Sequence, residues 1–189
     1  LNPSEILISE RDDNPSGSCI VASMEGTRPI LIEIQALTSQ TVFGFPRRTA
    51  NGFDGNRLTL LIAVLEKKGC ILLGSQDVYV NVVGGIRINE PAIDLGVLMA
   101  AASSYKNIAI PQSTVIIGEV GLTGEIRSVN LIDKRVKEAE KLGFKTCIIP
   151  ESNKKNLTDK YNIEVIGVKK LQDAMRVLGI RWVSFIPIS

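Results

Sequence analysis

The chain has 189 residues, 44% of them apolar, and a formal net charge of +2. That is enough apolar length for one substantial core, and too little charge to hold nucleic acid except through a local patch. It has no histidine, which excludes Ser-His-Asp and Cys-His triads and most catalytic zinc sites within the chain. Cys19, Cys70 and Cys147 lie far apart without a C-x-x-C pair, and read as buried free thiols in a reducing compartment, the cytoplasm. No apolar run reaches membrane-spanning length, and no basic-then-apolar leader is visible. The opening Leu1-Asn2-Pro3-Ser4-Glu5 reads as the start of an excised fragment. The expected division is a linker over 1–17, one domain over 18–180 and an apolar tail over 181–189.

In chain order, residues 1–18 are polar with apolar spots at Ile6, Leu7 and Ile8, and end in the turn former Asn14-Pro15-Ser16-Gly17. Two strand patterns follow, over 18–24 and 28–37. Glu25-Gly26-Thr27 joins them into an antiparallel hairpin. In the second, Ile30, Ile32 and Ile34 alternate with Leu31, Glu33 and Gln35, the pattern of a half-buried strand. Residues 38–55 read as a loop with a short strand over 42–45. Asp54 or Gly55 caps a helix to about Lys67, striped by Leu58, Leu61, Ile62 and Leu65 and closed by Gly69. Val78, Val80 and Val82 mark the next strand. After Gly84 and Gly85, Pro91 starts a helix apolar on nearly every side, hence central and buried, with an exposed N-terminus. Residues 114–120 form a strand, and Thr123-Gly124 turns it into a short one over 125–129. Asn130 caps a third helix, with Asp133 three residues on and Ile132, Val136 and Ala139 inward. A strand over 145–149 stops at Pro150, a Lys- and Asn-rich loop follows, and 162–168 is a strand. Leu171, Ala174, Met175 and Leu178 stripe the last helix. The alternation after residue 70 predicts an α/β (α+β) fold, with a mixed sheet because of the N-terminal hairpin.

Several stretches carry a resemblance. Gly118-Glu119-Val120-Gly121-Leu122-Thr123-Gly124-Glu125-Ile126-Arg127-Ser128-Val129, the helix after it, and Gly143-Phe144-Lys145-Thr146-Cys147-Ile148-Ile149-Pro150 resemble the proteolytic domain of the Lon family. Glu90-Pro91-Ala92-Ile93-Asp94 stands where Lon-type enzymes have Gly-Pro-Ser-Ala-Gly. Met24-Glu25-Gly26-Thr27-Arg28-Pro29 and Arg47-Arg48-Thr49-Ala50-Asn51-Gly52-Phe53-Asp54 narrow the likeness to the C-terminal Lon-like domain of the RadA (Sms) family of bacterial DNA-repair proteins. The likeness runs over about residues 2 to 180 and leaves out the tail.

The resemblance implies a Lon-protease-like fold, and a protein that elsewhere carries a zinc finger and a RecA-like ATPase core using ATP and magnesium. It implies a hexameric, ATP-dependent DNA-repair helicase that partners the recombinase RecA. This chain has no phosphate-binding G-x-x-x-x-G-K-[ST] loop. A Lon-type peptidase uses a Ser nucleophile and a Lys general base. Matched by motif, these positions are Ala92 and Asp133, so no catalytic residue is expected. Lys134 lies one helical step away, about 100° around the axis. Ser103 and Ser104 are about three turns from the elbow. Asp94 reads as a buried polar anchor.

Arg47, Arg48 and Arg57 flank a Gly-Asn turn and are candidates for phosphate contact, with a subunit interface as the alternative. Phe43 and Phe45 read as core anchors rather than base-stacking groups, and Phe53 is interleaved with them. Lys154 and Lys155, with Lys160, Lys169 and Lys170 nearby, form a second basic cluster diluted by acids. The helix bearing Lys134, Arg135 and Lys137 reads as an ordinary exposed face of mixed sign. The function expected is a non-proteolytic scaffold that forms a hexamer and binds DNA without sequence preference. A working Ser-Lys peptidase and a pure assembly domain without DNA contact are the alternatives.

Overall fold

The computed structural model describes Ser4, Glu5 and residues 13–181. The apolar spots Ile6, Leu7 and Ile8, and the tail from residue 182, lie outside the described residues. Strands β1 (Ser18–Glu25) and β2 (Arg28–Gln40) form an antiparallel hairpin that closes where Glu25 faces Arg28. Strand β3 (Arg48–Asn51) leads into helix α1 (Gly55–Gly69) and then strand β4 (Gln76–Val82). A 3-10 turn (Pro91–Ile93) opens helix α2 (Asp94–Lys106). Strand β5 (Thr114–Ile116) is followed by a small separate hairpin of β6 (Glu119–Val120) and β7 (Ile126–Arg127). Helix α3 (Ile132–Lys141), β8 (Thr146–Pro150), α4 (Glu151–Lys155), β9 (Glu164–Val168) and α5 (Leu171–Val177) complete the order. The main sheet runs β3-β4-β2-β1-β5-β8-β9. β1 and β4 are antiparallel to β2 and its other pairings are parallel, so the fold is α/β with a mixed sheet.

The sheet is covered on two faces. Ile32, Ile34, Val78 and Val80 belong to one apolar cluster with Leu58 and Ile62 of α1, Leu98 of α2 and Leu171 of α5. Ile20, Leu31, Val115 and Cys147 form a second with Ile132, Val136 and Ala139 of α3. This second layer changes the expected character of β2. Leu31 is buried like the isoleucines beside it because it packs with α3, and Glu33 is buried on the same face. Glu33 is satisfied there by the Ser18 hydroxyl at 2.6 Å.

Helix α2 is buried from Asp94 to Ser103, as an all-apolar helix should be. It rests directly on β1 through Gly96, where a Cβ would overlap the Val21 side chain. The strand expected over 114–120 breaks at Gly118 for a related reason. Gly118 N–H donates to Ala92 C=O at 2.8 Å, and its own carbonyl accepts from Leu95 N–H at 3.0 Å. The backbone there ties to the start of α2 instead of continuing the ladder.

Other local expectations are corrected. Asp54 caps α1, accepting from Arg57 N–H at 2.7 Å. The left-handed residue at its end, however, is Cys70 (φ 54°), not Gly69. Gly69 is the last helical residue, and a Cβ on it would lie 2.8 Å from Leu65 Cδ1 and 3.3 Å from Leu171 Cδ2. Cys70 is consequently exposed, whereas Cys19 and Cys147 are buried free thiols. Burial pushes the Cys147 thiol up to about 12. Residues 42–45 are not a strand, and the loop expected after Pro150 is the short helix α4. Asn130 does not cap α3: the capping position is Leu131 (φ 53°), and Asn130 serves an arginine instead.

That arginine is Arg135, expected on an exposed face and found fully buried. Nε donates to the Asn130 carbonyl at 3.0 Å. Nη1 donates to the Ala22 carbonyl at 2.7 Å and to Glu90 Oε1 at 2.8 Å. Nη2 donates to Glu90 Oε2 at 2.8 Å and Asn130 Oδ1 at 2.9 Å. All five guanidinium N–H groups are thereby used. Glu90 Oε1 also accepts from Met24 N–H at 2.8 Å. Burial alone would raise the Glu90 carboxyl. The Arg135 fork, aided by Ser23 and the Met24 amide, more than offsets this and holds it below the usual glutamate range.

Three outcomes are expected from urea titrations. Gly96→Ala gains up to about 1 kcal/mol of helix propensity but overpacks against Val21, for a net loss of about 1–3 kcal/mol. Arg135→Ala strands Glu90 and costs about 3–5 kcal/mol. The Glu90 contribution is complete above the ordinary glutamate value of about 4.3 and is lost as pH falls through the depressed folded value. The stability gap between the wild-type chain and Glu90→Gln therefore shrinks on acidification below that value; a gap that widens contradicts the assignment.

Candidate functional site

The turn that leads into α2 is where the motif match puts a nucleophile. Pro91 occupies the first position of the 3-10 turn and Ala92 follows it. Ala92 presents only a methyl group and is 3% exposed, so the expected open helix N-terminus is closed over. Its carbonyl is taken by Gly118 N–H. Asp94 is fully buried at the first turn of α2. Arg57 Nε donates to Asp94 Oδ1 at 2.7 Å, Arg57 Nη2 pairs with Oδ2, and Val120 N–H donates to Oδ2 at 3.1 Å. Burial pushes the Asp94 carboxyl up, opposed by Arg57 and the Val120 amide. The hydrogen bond to Asp94 raises Arg57, which stays a fixed cation. Asp94 is thus the buried anchor that its position suggested.

Asp133, at the motif position of the base, lies in the first turn of α3 but is not a helix cap. Its Oδ1 accepts from Tyr161 Oη at 2.5 Å and from Thr158 Oγ1 at 3.2 Å. The Tyr161 hydrogen bond holds the Asp133 carboxyl below its ordinary range, and burial together with Asp133 pushes the Tyr161 hydroxyl well up. Lys134 reaches the other way, to the Thr27 carbonyl at 3.2 Å. Ser103 Oγ donates to the Ile108 carbonyl at 2.5 Å and accepts from Gly17 N–H at 2.9 Å. Ser104 Oγ accepts from Thr38 N–H at 3.0 Å. Both hydroxyls therefore fasten α2 to its neighbours. The segments bearing Ala92 and Asp133 are linked by the Glu90 and Arg135 pair, which the residue-type pattern missed. Position 135 adjoins the stripe of Ile132, Val136 and Ala139, and that spacing was the available signal.

The three candidate arginines differ in their surroundings. Arg47 is exposed, with its backbone N–H donating to Asp77 Oδ1 at 2.8 Å. Arg48 turns inward and donates to the carbonyls of Leu73 at 3.0 Å and Gln76 at 2.5 Å. Arg57 is held by Asp94. Only Arg47 of the three presents a guanidinium without a partner described above. The phenylalanines are also redistributed. Phe53 is in the core, but Phe43 and Phe45 are 87% and 92% exposed, which overturns their reading as core anchors. They sit in the connection between β2 and β3.

Lys154 and Lys155 are exposed on α4. Lys155 and Lys169, fourteen positions apart in sequence, line one shallow cavity of about 350 Å³ with Ser152 and Asn156. Glu151 is the acid on its wall. A larger cleft of about 590 Å³ opens between the β1–β2 hairpin and residues 86–90. Among the described residues no group of His, Cys, Asp or Glu is placed to hold a metal ion. None of their helices is long and apolar enough to cross a membrane.

Comparison with known proteins gives two findings. The chain is 57% identical over 176 residues to DNA repair protein RadA of Halalkalibacterium halodurans, 55% identical over 176 residues to that of Bacillus subtilis, and 48% identical over 175 residues to that of Listeria monocytogenes. Each match covers 93% of this chain and 38% of the relative, so the chain corresponds to a segment of these proteins and spans less than half their length. The family model described as Subunit ChlI of Mg-chelatase matches residues 52–153, from the turn before α1 to α4. That match takes in more than half of the sequence, and the chain belongs to the family it describes, Subunit ChlI of Mg-chelatase.

Proposed function

We propose that this chain is a non-proteolytic, Lon-like module of a RadA-type DNA-repair protein, one that helps close a hexameric ring and offers DNA a basic surface. The observation that carries the reading is the likeness, along 93% of the chain, to proteins named for DNA repair. The site adds a second support. Peptide hydrolysis of the Lon kind needs an activated hydroxyl and a deprotonated lysine, whereas Ala92 offers a methyl group and Asp133 is an anion bound to Tyr161. In this reading ATP, magnesium and zinc belong to other segments of the protein. DNA unwinding and partnership with RecA belong to the whole assembly. The reading places the protein in the cytoplasm, in keeping with three free thiols, of which Cys70 is exposed.

The DNA contacts are proposed at two places, Arg47 beside β3 at one edge of the sheet and Lys154 and Lys155, with Lys169 beside Lys155, next to β8 and β9 at the other. Arg48 and Arg57 are proposed to support that surface from below, because their forks already hold protein groups. Binding of this kind releases counterions and so weakens steeply with salt. In filter binding with duplex DNA, Arg47→Ala, Lys154→Ala and Lys155→Ala should each lower the slope of log affinity against log salt by about 1. An unchanged slope in the triple variant removes the patch from consideration. Arg57→Ala should instead lower stability by about 3–5 kcal/mol, since it leaves Asp94 buried without its partner. In casein digestion, both the wild-type chain and Ala92→Ser should be inert. Hydrolysis by Ala92→Ser above that of the wild-type chain would show that a competent base stands nearby.

A further inference from the structure

Asn51-Gly52 is the sole Asn-Gly pair in the sequence. Every other asparagine is followed by proline, by Val or Ile, or by a long side chain, Leu, Lys, Arg or Glu. An asparagine loses its side-chain amide when the next main-chain nitrogen reaches its Cγ. A side chain on that next residue crowds the approach, and glycine carries none.

The fold fixes the glycine. Gly52 has φ +76°, and a Cβ there would lie 2.4 Å from the Ile86 carbonyl oxygen and 2.8 Å from Val82 Cβ. Asn51 is the last residue of β3, on an outer strand of the sheet, and is exposed. Pairing with β4 ends here, where Asn51 faces Asn81. The Gly52 carbonyl accepts from Ile88 N–H at 2.9 Å, but the Gly52 N–H donates to no described residue. The attacking nitrogen is therefore free of the sheet, while the group it attacks is held. Asn51 Nδ2 donates to Asn81 Oδ1 at 2.8 Å, and the amide must leave that partner to turn toward Gly52.

We propose that Asn51 is a site of spontaneous deamidation and that Asn81 sets its pace. The Gly52 nitrogen gives its proton to hydroxide and forms a bond to Asn51 Cγ. The bond from Cγ to Nδ2 breaks, and the amide nitrogen takes a proton from water and leaves as ammonia. The product is a five-membered imide, which water then opens. Opening at Cγ leaves an aspartate. Opening at the main-chain carbonyl leaves an isoaspartate, with one more carbon in the main chain. Nothing is oxidised or reduced. The longer link has no spare room, because Gly52 is pressed against Ile86 and Val82 and Phe53 beyond it is buried. The bond from Ile88 N–H to Gly52 is the first to give way.

The test is peptide mapping by mass spectrometry after storing the full 189-residue chain in mildly alkaline heavy-oxygen water. Label should enter position 51 ahead of any other asparagine, as both aspartate and isoaspartate. Asn81→Ala should speed the change about fivefold, the weight of one ordinary hydrogen bond. Asn81→Asp keeps an acceptor for Asn51 Nδ2 and makes it a stronger, charged one, so it should slow the change. Opposite effects at one position are not what a general loosening of the sheet would give. Hydrogen exchange at the Ile88 amide should be faster in the isoaspartate form than in Asn51→Asp, whose main chain keeps its length. A free peptide of residues 47–57 is the reference. If the peptide converts while the folded chain keeps Asn51 intact over the same period, the proposal is wrong and the strand holds the residue shut. Label arriving first at another asparagine also overturns it. Equal rates in the wild type and both Asn81 variants remove Asn81 from control of the step.

Discussion

One buried guanidinium joins the parts of this fold that would otherwise be independent. Arg135 comes from α3, takes a carbonyl of β1, the carboxylate of Glu90 ahead of α2, and two oxygens of Asn130. An unpaired cation at that depth would be prohibitive, and a fully hydrogen-bonded one is tolerable only in a single geometry. The arrangement therefore selects position more than it adds stability. It holds the start of α3 against the turn that begins α2, and both helices against the hairpin. The unusual left-handed Leu131 is a local consequence, since the chain must turn there to bring both Asn130 oxygens onto one side chain.

A second ion pair works the same way on the opposite face. Arg57 reaches from the first turn of α1 to Asp94 in the first turn of α2, and Val120 completes the carboxylate from the small hairpin. Two fixed charges thus bracket the turn that contains Ala92. In an enzyme of similar plan that turn would present a reacting group, and rigid brackets of this sort would serve precision. Here the brackets remain while the central atom is a methyl carbon.

Much of the architecture is legible in residue periodicity. The N-terminal hairpin, the Asp54 cap, the stripe of α1 and the all-round apolarity of α2 each follow from spacing that one local element determines. Expectation and structure part where a distant element decides the outcome. Leu31 is buried against a helix far later in the sequence, and Glu33 beside it is buried too. Gly69 is an obvious stop, but it lies one residue before the left-handed Cys70, closely packed against Leu65 of its own helix and Leu171 and Met175 of α5. Arg135 resembles a surface charge, although its place beside the apolar stripe of α3 points inward. Phe43 and Phe45 depart in the opposite direction. Aromatic residues are usually buried, but these two stand exposed in the connection between β2 and β3. Pro91 is legible as the start of the turn into α2; the surroundings of the candidate basic residues are not legible. Composition cannot tell that Arg48 and Arg57 face inward, nor that Lys155 and Lys169 share a cavity.

The middle of the sheet is made from widely separated pieces of backbone. Ile20 of β1 pairs with Val115 of β5, while its other neighbour, Glu33, is only thirteen positions away. During synthesis the hairpin can form early, yet one of its edges waits for β5 to be made. Closing so long a loop is slow, and an apolar strand edge left open invites pairing with another chain. The β1 edge of the hairpin therefore has no strand partner until the chain has been made through Ile116.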